Sequence, residues 1–408
     1  MTAEIRSTQV VVLGAGYTGL MAALRVARRT RRLDVKVLLV NPSERFIERL
    51  RMHQLATGQQ LKEYSIPDLI AGTGIEFVQG WATTISVDAN WLLVERADDS
   101  PQRVDFDYLI YAIGSAANTT TVPGVEHHAF TLDSPDTCVR FARRLDSLDG
   151  YGTVAVCGNG LTGVEAASEI AESHPGLRVV LIGKGEPGSM MGAKARNYLV
   201  SVLDRLGIES LSHCEITKVL PDAVEVADHA AIPIDACLWT TGFWASPLAR
   251  DAGLRVDERG RIVVDDALRS ISHPQVLAVG DSAAITQPWG EIHGTCQSGV
   301  PTAIHAADMI ARIIRNKSTK RFRFGYIHQP VSLGRRDGVV QFAKPNDAPR
   351  RLFLKGRKAA RYKETVSSSP PKVYRASRKV TLPKAFIAPR GGRATRRAAP
   401  VTSPAGPG

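Results

Sequence analysis

The feature that most constrains this chain is a repeated turn. Gly14-Ala15-Gly16-Tyr17-Thr18-Gly19 follows directly on the apolar run of residues 9–13, and Gly158-Asn159-Gly160-Leu161-Thr162-Gly163 follows directly on Thr153–Cys157. Both runs are short, continuous and bounded by glycine, the pattern of a strand buried on both faces of a parallel sheet. A helix-forming stretch follows each turn. It runs to Arg29 in the first copy, with Leu20, Ala23, Leu24 and Ala27 on one face, and spans Val164–Ser173 in the second. Strands predicted at Val35–Val40 and at residues 177–182 complete two βαβ units. The copies lie too far apart for a solenoid repeat, so the pattern is a duplicated nucleotide-binding module in an α/β chain.

In a GxGxxG turn the first glycine permits the sharp exit from the strand. The second lets the backbone approach a pyrophosphate, and the third lets helix and strand pack closely. The helix N-terminus offers free N–H donors to the anion. Gly14, Gly16 and Gly19 take these places in the first copy, and Gly158, Gly160 and Gly163 in the second. About 20 residues beyond such a turn a carboxylate normally takes the ribose hydroxyls. The first copy has Asn41 there, an uncharged acceptor, and the second has Gly183-Lys184. On the sequence no carboxylate stands at the second place to repel a 2′-phosphate. Lys184 is thus either a partner for one, which tilts the site toward NADPH, or a solvated loop lysine.

The 408 residues are too many for one core and predict two to three domains. The net charge of +12 is concentrated at one end: from Lys344 onward 17 Lys and Arg face only Asp347 and Glu364, leaving the rest slightly acidic. The high charge therefore describes a tail and not the body. From Ser367 on, the Ser, Pro, Lys and Arg content predicts disorder. Residues 350–362 have a basic amphipathic look broken by Gly356, suited to anionic lipid and equally to a solvated appendage. No pattern supports specific nucleic-acid recognition. Cys138, Cys157, Cys214, Cys237 and Cys296 form no CxxC or CxxxxC pair, which argues against a zinc ribbon or a dithiol redox centre, and no metal site is expected. The longest uncharged stretch, Tyr108 to Val125, is too rich in Gly, Thr, Asn and Pro to span a membrane. The expected location is the cytoplasm, with peripheral contact at the inner membrane face through the basic segment.

Three further strand ends complete the pattern: Ala112-Ile113-Gly114, Thr241-Gly242 and Val279-Gly280-Asp281. With the two glycine turns and the segment Asn41 to Gly58, ending Gln-Leu-Ala-Thr-Gly, they resemble the two-dinucleotide-fold flavoproteins. The branch is that of type II NADH dehydrogenases and the reductases similar to apoptosis-inducing factor, in the pyridine nucleotide-disulfide oxidoreductase superfamily. The resemblance runs from about Val10 to Ile314. It implies two Rossmann-like domains, FAD on the first turn (Gly14, Ala15, Gly16, Tyr17, Thr18, Gly19) and NAD(P)H on the second. Asn41, Ala112, Gly114, Gly280 and Asp281 would complete the FAD site, with Asp281 at the ribityl chain and Arg49 at the flavin end. Gly158, Gly160, Gly163, Lys184 and Gly242 would serve the NAD(P)H site. The expected division is 1–120 and 246–320 for FAD, 121–245 for NAD(P)H, 321–366 as a C-terminal segment and 367–408 as tail.

The same resemblance implies hydride transfer from NAD(P)H to FAD, followed by electron transfer to a quinone or other small acceptor. Glu165 and Gln297 are the expected catalytic residues, Glu165 beside the reacting rings. His53 and His293 are candidate proton carriers or structural histidines, and Trp244 is a candidate for the acceptor approach. In the quinone-reducing relatives a second glutamine follows Gln297 in the motif, and this chain has Pro301 there. That departure puts the quinone in question, and a homodimer is left open. The alternative is a flavoprotein sensor or effector in which nucleotide binding controls assembly or partner binding.

Overall fold

The computed structural model describes residues 7–96, 100–381 and 383. Strand β1 (Thr8–Leu13) enters the first turn, helix α1 (Tyr17–Thr30) leaves it, and β2 (Val35–Asn41) returns parallel to β1 with Thr8 opposite Val35 and Leu13 opposite Val40. Short helix α2 (Met52–Leu55), β3 (Ile75–Gln79) and β4 (Tyr108–Tyr111) follow, with a three-stranded antiparallel sheet of residues 81–105 between β3 and β4. Strand β5 (Ser115–Ala117) leads out of this module.

The second module repeats the construction with β6 (Phe130–Thr131), β7 (Thr153–Cys157), α3 (Leu161–Ser173), β8 (Arg178–Gly183), β9 (Glu209–Ser212) and β10 (Ala236–Trp239). Strand β11 (Phe243–Ala245) then runs back antiparallel to β5, so the exit from the first module and the return to it lie side by side. Strand β12 (Val276–Ala278) rejoins the first sheet, whose order is β12-β4-β1-β2-β3; the second sheet is ordered β9-β8-β7-β10-β6. Helix α4 (Cys296–Ile313) packs along α1. The chain continues into an antiparallel sheet of β13 (His328–Ser332), β14 (Gly338–Ala343) and β15 (Pro349–Lys355), then helices α5 (Gly356–Ser368) and α6 (Pro370–Ser377).

Both parallel sheets are dry on both faces. Val10, Val11 and Val12 in one, and Val154 to Cys157 in the other, are inaccessible to solvent, which is why these strands read as unbroken apolar runs. The expected α/β architecture of two Rossmann-like modules is therefore present, as two parallel sheets.

One expectation for the C-terminal region is corrected. The break expected within residues 350–362 falls at Gly356: β15 ends at Lys355, and Gly356, with φ of +67°, starts α5. The chain is not disordered from Ser367, however, because α6 is a packed helix opening on two prolines at its first turn, where proline suits helical φ. The Tyr374 hydroxyl donates to Tyr17 O at 3.1 Å, and its ring meets Phe46 edge-on at 5.5 Å. One buried aromatic anchor outweighs a polar composition here. The rest of the expected disorder falls at 382 and 384–408, outside the described residues.

Candidate active site

The two glycine turns have the same build. Gly14 and Gly158 hold φ of +98° and +117°, a region L side chains rarely adopt. A Cβ on Gly14 would come within 2.6 Å of Ala112 O, and one on Gly158 within 2.8 Å of Thr240 Oγ1. Each first glycine thus lies against the adjacent strand end, β4 in one module and β10 in the other. A Cβ on Gly19 would overlap Gly14 O, and one on Gly163 would overlap Gly158 O, so the third glycine is demanded by the turn itself.

The middle glycines differ in kind. A Cβ on Gly16 or Gly160 would meet no atom within 4 Å, so nothing in the protein requires glycine there. Each is also the N-cap of its helix, and neither offers a side chain to the free N–H groups behind it. Open space in front of uncapped helical donors is what a pyrophosphate needs. The residues present therefore fit two dinucleotides.

An asparagine ties each turn to the end of the second strand, in opposite directions. In the first module Asn41, ending β2, accepts from the Ala15 N–H at 2.9 Å. In the second, Asn159 within the turn donates from Nδ2 to Gly185 O.

The third strand end completes the first site. Gly280 lies so close to Thr18 that a Cβ there would approach Thr18 Cγ2 to 2.8 Å, and Gly114 N–H donates to Ser282 Oγ at 2.8 Å. Asp281 accepts from Ser115 Oγ at 3.1 Å, while Arg49 donates to Ser115 O at 2.6 Å and pairs with Asp133 at 2.9 Å. Gly14, Thr18, Arg49, Ala112, Gly114, Gly280 and Asp281, scattered in sequence, thus converge on one side of the first sheet.

Glu165 sits on α3, in the second module, but its partners come from elsewhere. Its Oε1 accepts from the N–H of Ser332 at 2.8 Å and from its hydroxyl at 3.1 Å, and Lys363 of α5 lies 3.0 Å away. The side chains of Glu165 and Lys363 are each only 10% exposed. Burial opposes the charge, yet Lys363, nearby His53 and the Ser332 N–H together hold the Glu165 carboxyl below its ordinary range. His53 of α2 is pushed down to about 4, first by burial and then by Lys363, Arg335 and Arg51, against the pull of Glu165. Its Nε2 has no hydrogen-bond partner among the described residues. At neutral pH this junction of both modules and the C-terminal segment holds a carboxylate, an ammonium and a neutral imidazole. Sequence reasoning found Glu165 but missed Lys363, hidden in a basic run, and Ser332, which carries no local signal.

Glu169, one turn further along α3, is almost wholly buried and receives Gln59 and Arg335; burial raises its carboxyl in spite of Arg335.

The remaining expected residues are placed as follows. Gln297 accepts from Ile327 N–H at 2.6 Å and donates to His328 O at 2.7 Å, so its amide clamps the entry to β13. Pro301 lies within α4. His293 is exposed, pairs with Asp347 at 3.2 Å and stacks on Tyr326. Phe243 and Trp244 are exposed on β11, beside Gly242, whose φ of +72° turns the chain out of β10.

One expectation is corrected at the second turn. A carboxylate does stand beside Lys184: Glu215 lies 2.8 Å from its Nζ. Glu215 is distant in sequence and arrives through β9, the neighbour of β8. Among the described residues no three His, Cys, Asp or Glu are grouped to hold a metal, and no helix is long and apolar enough to cross a membrane. The thiols of Cys157 and Cys237 approach to 3.6 Å as free cysteines in the second core.

Two glycine turns on two parallel sheets, joined by paired crossover strands, define a two-dinucleotide oxidoreductase. The chain belongs to the pyridine nucleotide-disulphide oxidoreductase family, whose model matches residues 8–309. It is 30% identical over 319 residues to a Mycobacterium tuberculosis NADH dehydrogenase-like protein, covering 73% of this chain and 79% of that one. It is 26% identical over 381 residues to the type II NADH:quinone oxidoreductase of Staphylococcus aureus, covering 85% and 93%. Among solved structures, the NDH2 of Plasmodium falciparum with NADH superposes with a TM-score of 0.77 at 15% identity, over 92% of this chain and 98% of that one. The Aquifex aeolicus sulfide:quinone oxidoreductase gives 0.79 at 18%, over 91% and 92%. The protein is an NADH dehydrogenase-like enzyme of this family.

Proposed function

We propose that the protein binds FAD at the first turn and NAD(P)H at the second, and passes electrons to a quinone or similar small acceptor. The observation that carries this reading is the pair of identically built turns, each with an open middle glycine before an uncapped helix. Bound FAD would supply the two-electron acceptor for hydride from the reduced nicotinamide. The chain's own groups provide orientation and charge. Asp281, Ser115 and Arg49 form a fixed polar edge beside the first turn.

Glu165 and Lys363 form a buried ion pair where α3 meets α5, which fixes the C-terminal segment against the second module. The Staphylococcus aureus relative, an NADH:quinone oxidoreductase, supports a quinone, whereas Pro301 departs from the quinone-reducing pattern, so turnover decides the acceptor class. The test is an anaerobic titration of the FAD-loaded protein with NADH and NADPH, followed by addition of a soluble quinone. Bleaching of the flavin absorbance and its return with quinone is the expected result. A flavin that neither nucleotide bleaches refutes the reading.

A further inference from the structure

We propose that Glu215 makes the second turn selective for an unphosphorylated ribose, and so for NADH over NADPH. This rests on the reading of that turn as the NAD(P)H site. The end of the second strand of a βαβ nucleotide fold faces the adenosine ribose hydroxyls; the strand register makes Gly183, the last residue of β8, the counterpart of Asn41, and Lys184 follows it directly. Taken alone, Lys184 is the cation that would attract a 2′-phosphate.

The structure removes that attraction and fixes what replaces it. Asn159 donates to Gly185 O, which ties the loop after β8 to the glycine turn. From the other side, Cys214 N–H donates to Gly183 O at 3.1 Å. Residues 183–185 are therefore held from two directions, and the second hold brings in Glu215, the residue after Cys214. Its carboxylate reaches Lys184 Nζ at 2.8 Å. Arg196, further along on the helix that follows, is matched by Glu186 at 2.5 Å. A 2′-phosphate entering here would meet a neutralised lysine and a carboxylate within a few ångströms, and its charge of nearly −2 would be repelled. A plain ribose brings no charge and can use the Glu215 oxygens as hydroxyl acceptors. Both side chains are largely exposed, so the discrimination is electrostatic and weakens with salt.

The test uses the FAD-loaded protein and two ligands that cannot reduce it, ADP-ribose and its 2′-phosphate, with affinities read by titration calorimetry. ADP-ribose is expected to bind on the order of tenfold tighter at low ionic strength, the gap narrowing as salt is added. Glu215→Gln should strengthen the phosphorylated ligand on the order of tenfold and move ADP-ribose by no more than about twofold. Lys184→Met added to Glu215→Gln should abolish that gain. A wild-type preference for the phosphorylated ligand, or a ratio that Glu215→Gln leaves unchanged, overturns the proposal. If neither ligand binds the wild type, the assignment of the second turn to NAD(P)H falls with it.

Discussion

Replacing Lys363 with methionine isolates the electrostatics of the junction. In the native protein Glu165 is a buried carboxylate held by one ammonium at 3.0 Å and two donors from Ser332. Removing one partner of a buried pair costs on the order of 3–5 kcal/mol, because the other charge stays desolvated. The Ser332 donors remain, so about 3 kcal/mol is expected near pH 8. The loss depends on pH in a fixed direction. The native Glu165 carboxyl lies below its ordinary value of 4.5, so its contribution is complete above that value and fades as pH falls through the folded one. Without Lys363, burial dominates and the folded value rises, so the variant loses stability as pH rises. The gap between native and variant should therefore widen from pH 5.5 to pH 8 in urea denaturation of the FAD-loaded protein. Combining Lys363→Met with Glu165→Gln leaves an amide for Ser332 and should recover about 2 kcal/mol relative to Lys363→Met alone. A gap independent of pH, or a double variant no more stable than Lys363→Met, refutes the buried-pair account.

Gly16→Ala should leave the thermal midpoint of the FAD-free protein unchanged, since its Cβ meets nothing, while weakening FAD on the order of tenfold by equilibrium dialysis. Gly19→Ala should instead destabilise the fold itself by about 3 kcal/mol through overlap with Gly14 O. His53, ordinarily near 6.5 and here about 4, binds a proton more readily unfolded than folded, so stability is full above pH 6.5 and falls by about 3 kcal/mol toward pH 4. His53→Phe should flatten that acid limb in denaturation curves taken across the same window. Tyr374→Ala should cost about 3 kcal/mol and speed the loss of FAD on gel filtration, because the lost contact is to Tyr17 at the start of α1.

What the sequence made legible were features enclosed within one unit of chain. Thr153–Cys157 is a strand in sequence and structure alike, because burial on both faces writes itself as an unbroken apolar run. The third glycine of each turn is also a local requirement: Gly19 is fixed by Gly14 and Gly163 by Gly158, five positions away in both copies. The antiparallel sheet of β13 to β15 was not legible, since His328–Ser332 carries polar residues and a proline among few apolar ones. Composition misjudged α6 for a related reason. A window average weighs every residue equally, whereas a few residues, Tyr374 with Pro371 and Val373 beside it, reach the core and decide the outcome.

The two modules show why a repeated motif predicts a shared fold but not a shared chemistry. Each turn supplies the same donors and the same open glycine, so affinity for a pyrophosphate is written into the repeat. The charges around it come from outside. The first turn lies among Arg49, Ser115 and Asp281, gathered from the turn before α2, the start of β5 and the chain just after β12, and is backed by Tyr374 from the last described helix. The second has Lys184 matched by Glu215 across two parallel strands, while Glu165 on its helix is matched by Lys363 from far along the chain. Sheet order and helix packing, not spacing in sequence, choose these partners. The sign of the field at each site is therefore a tertiary property, and under the proposed function it is what would separate the two nucleotides.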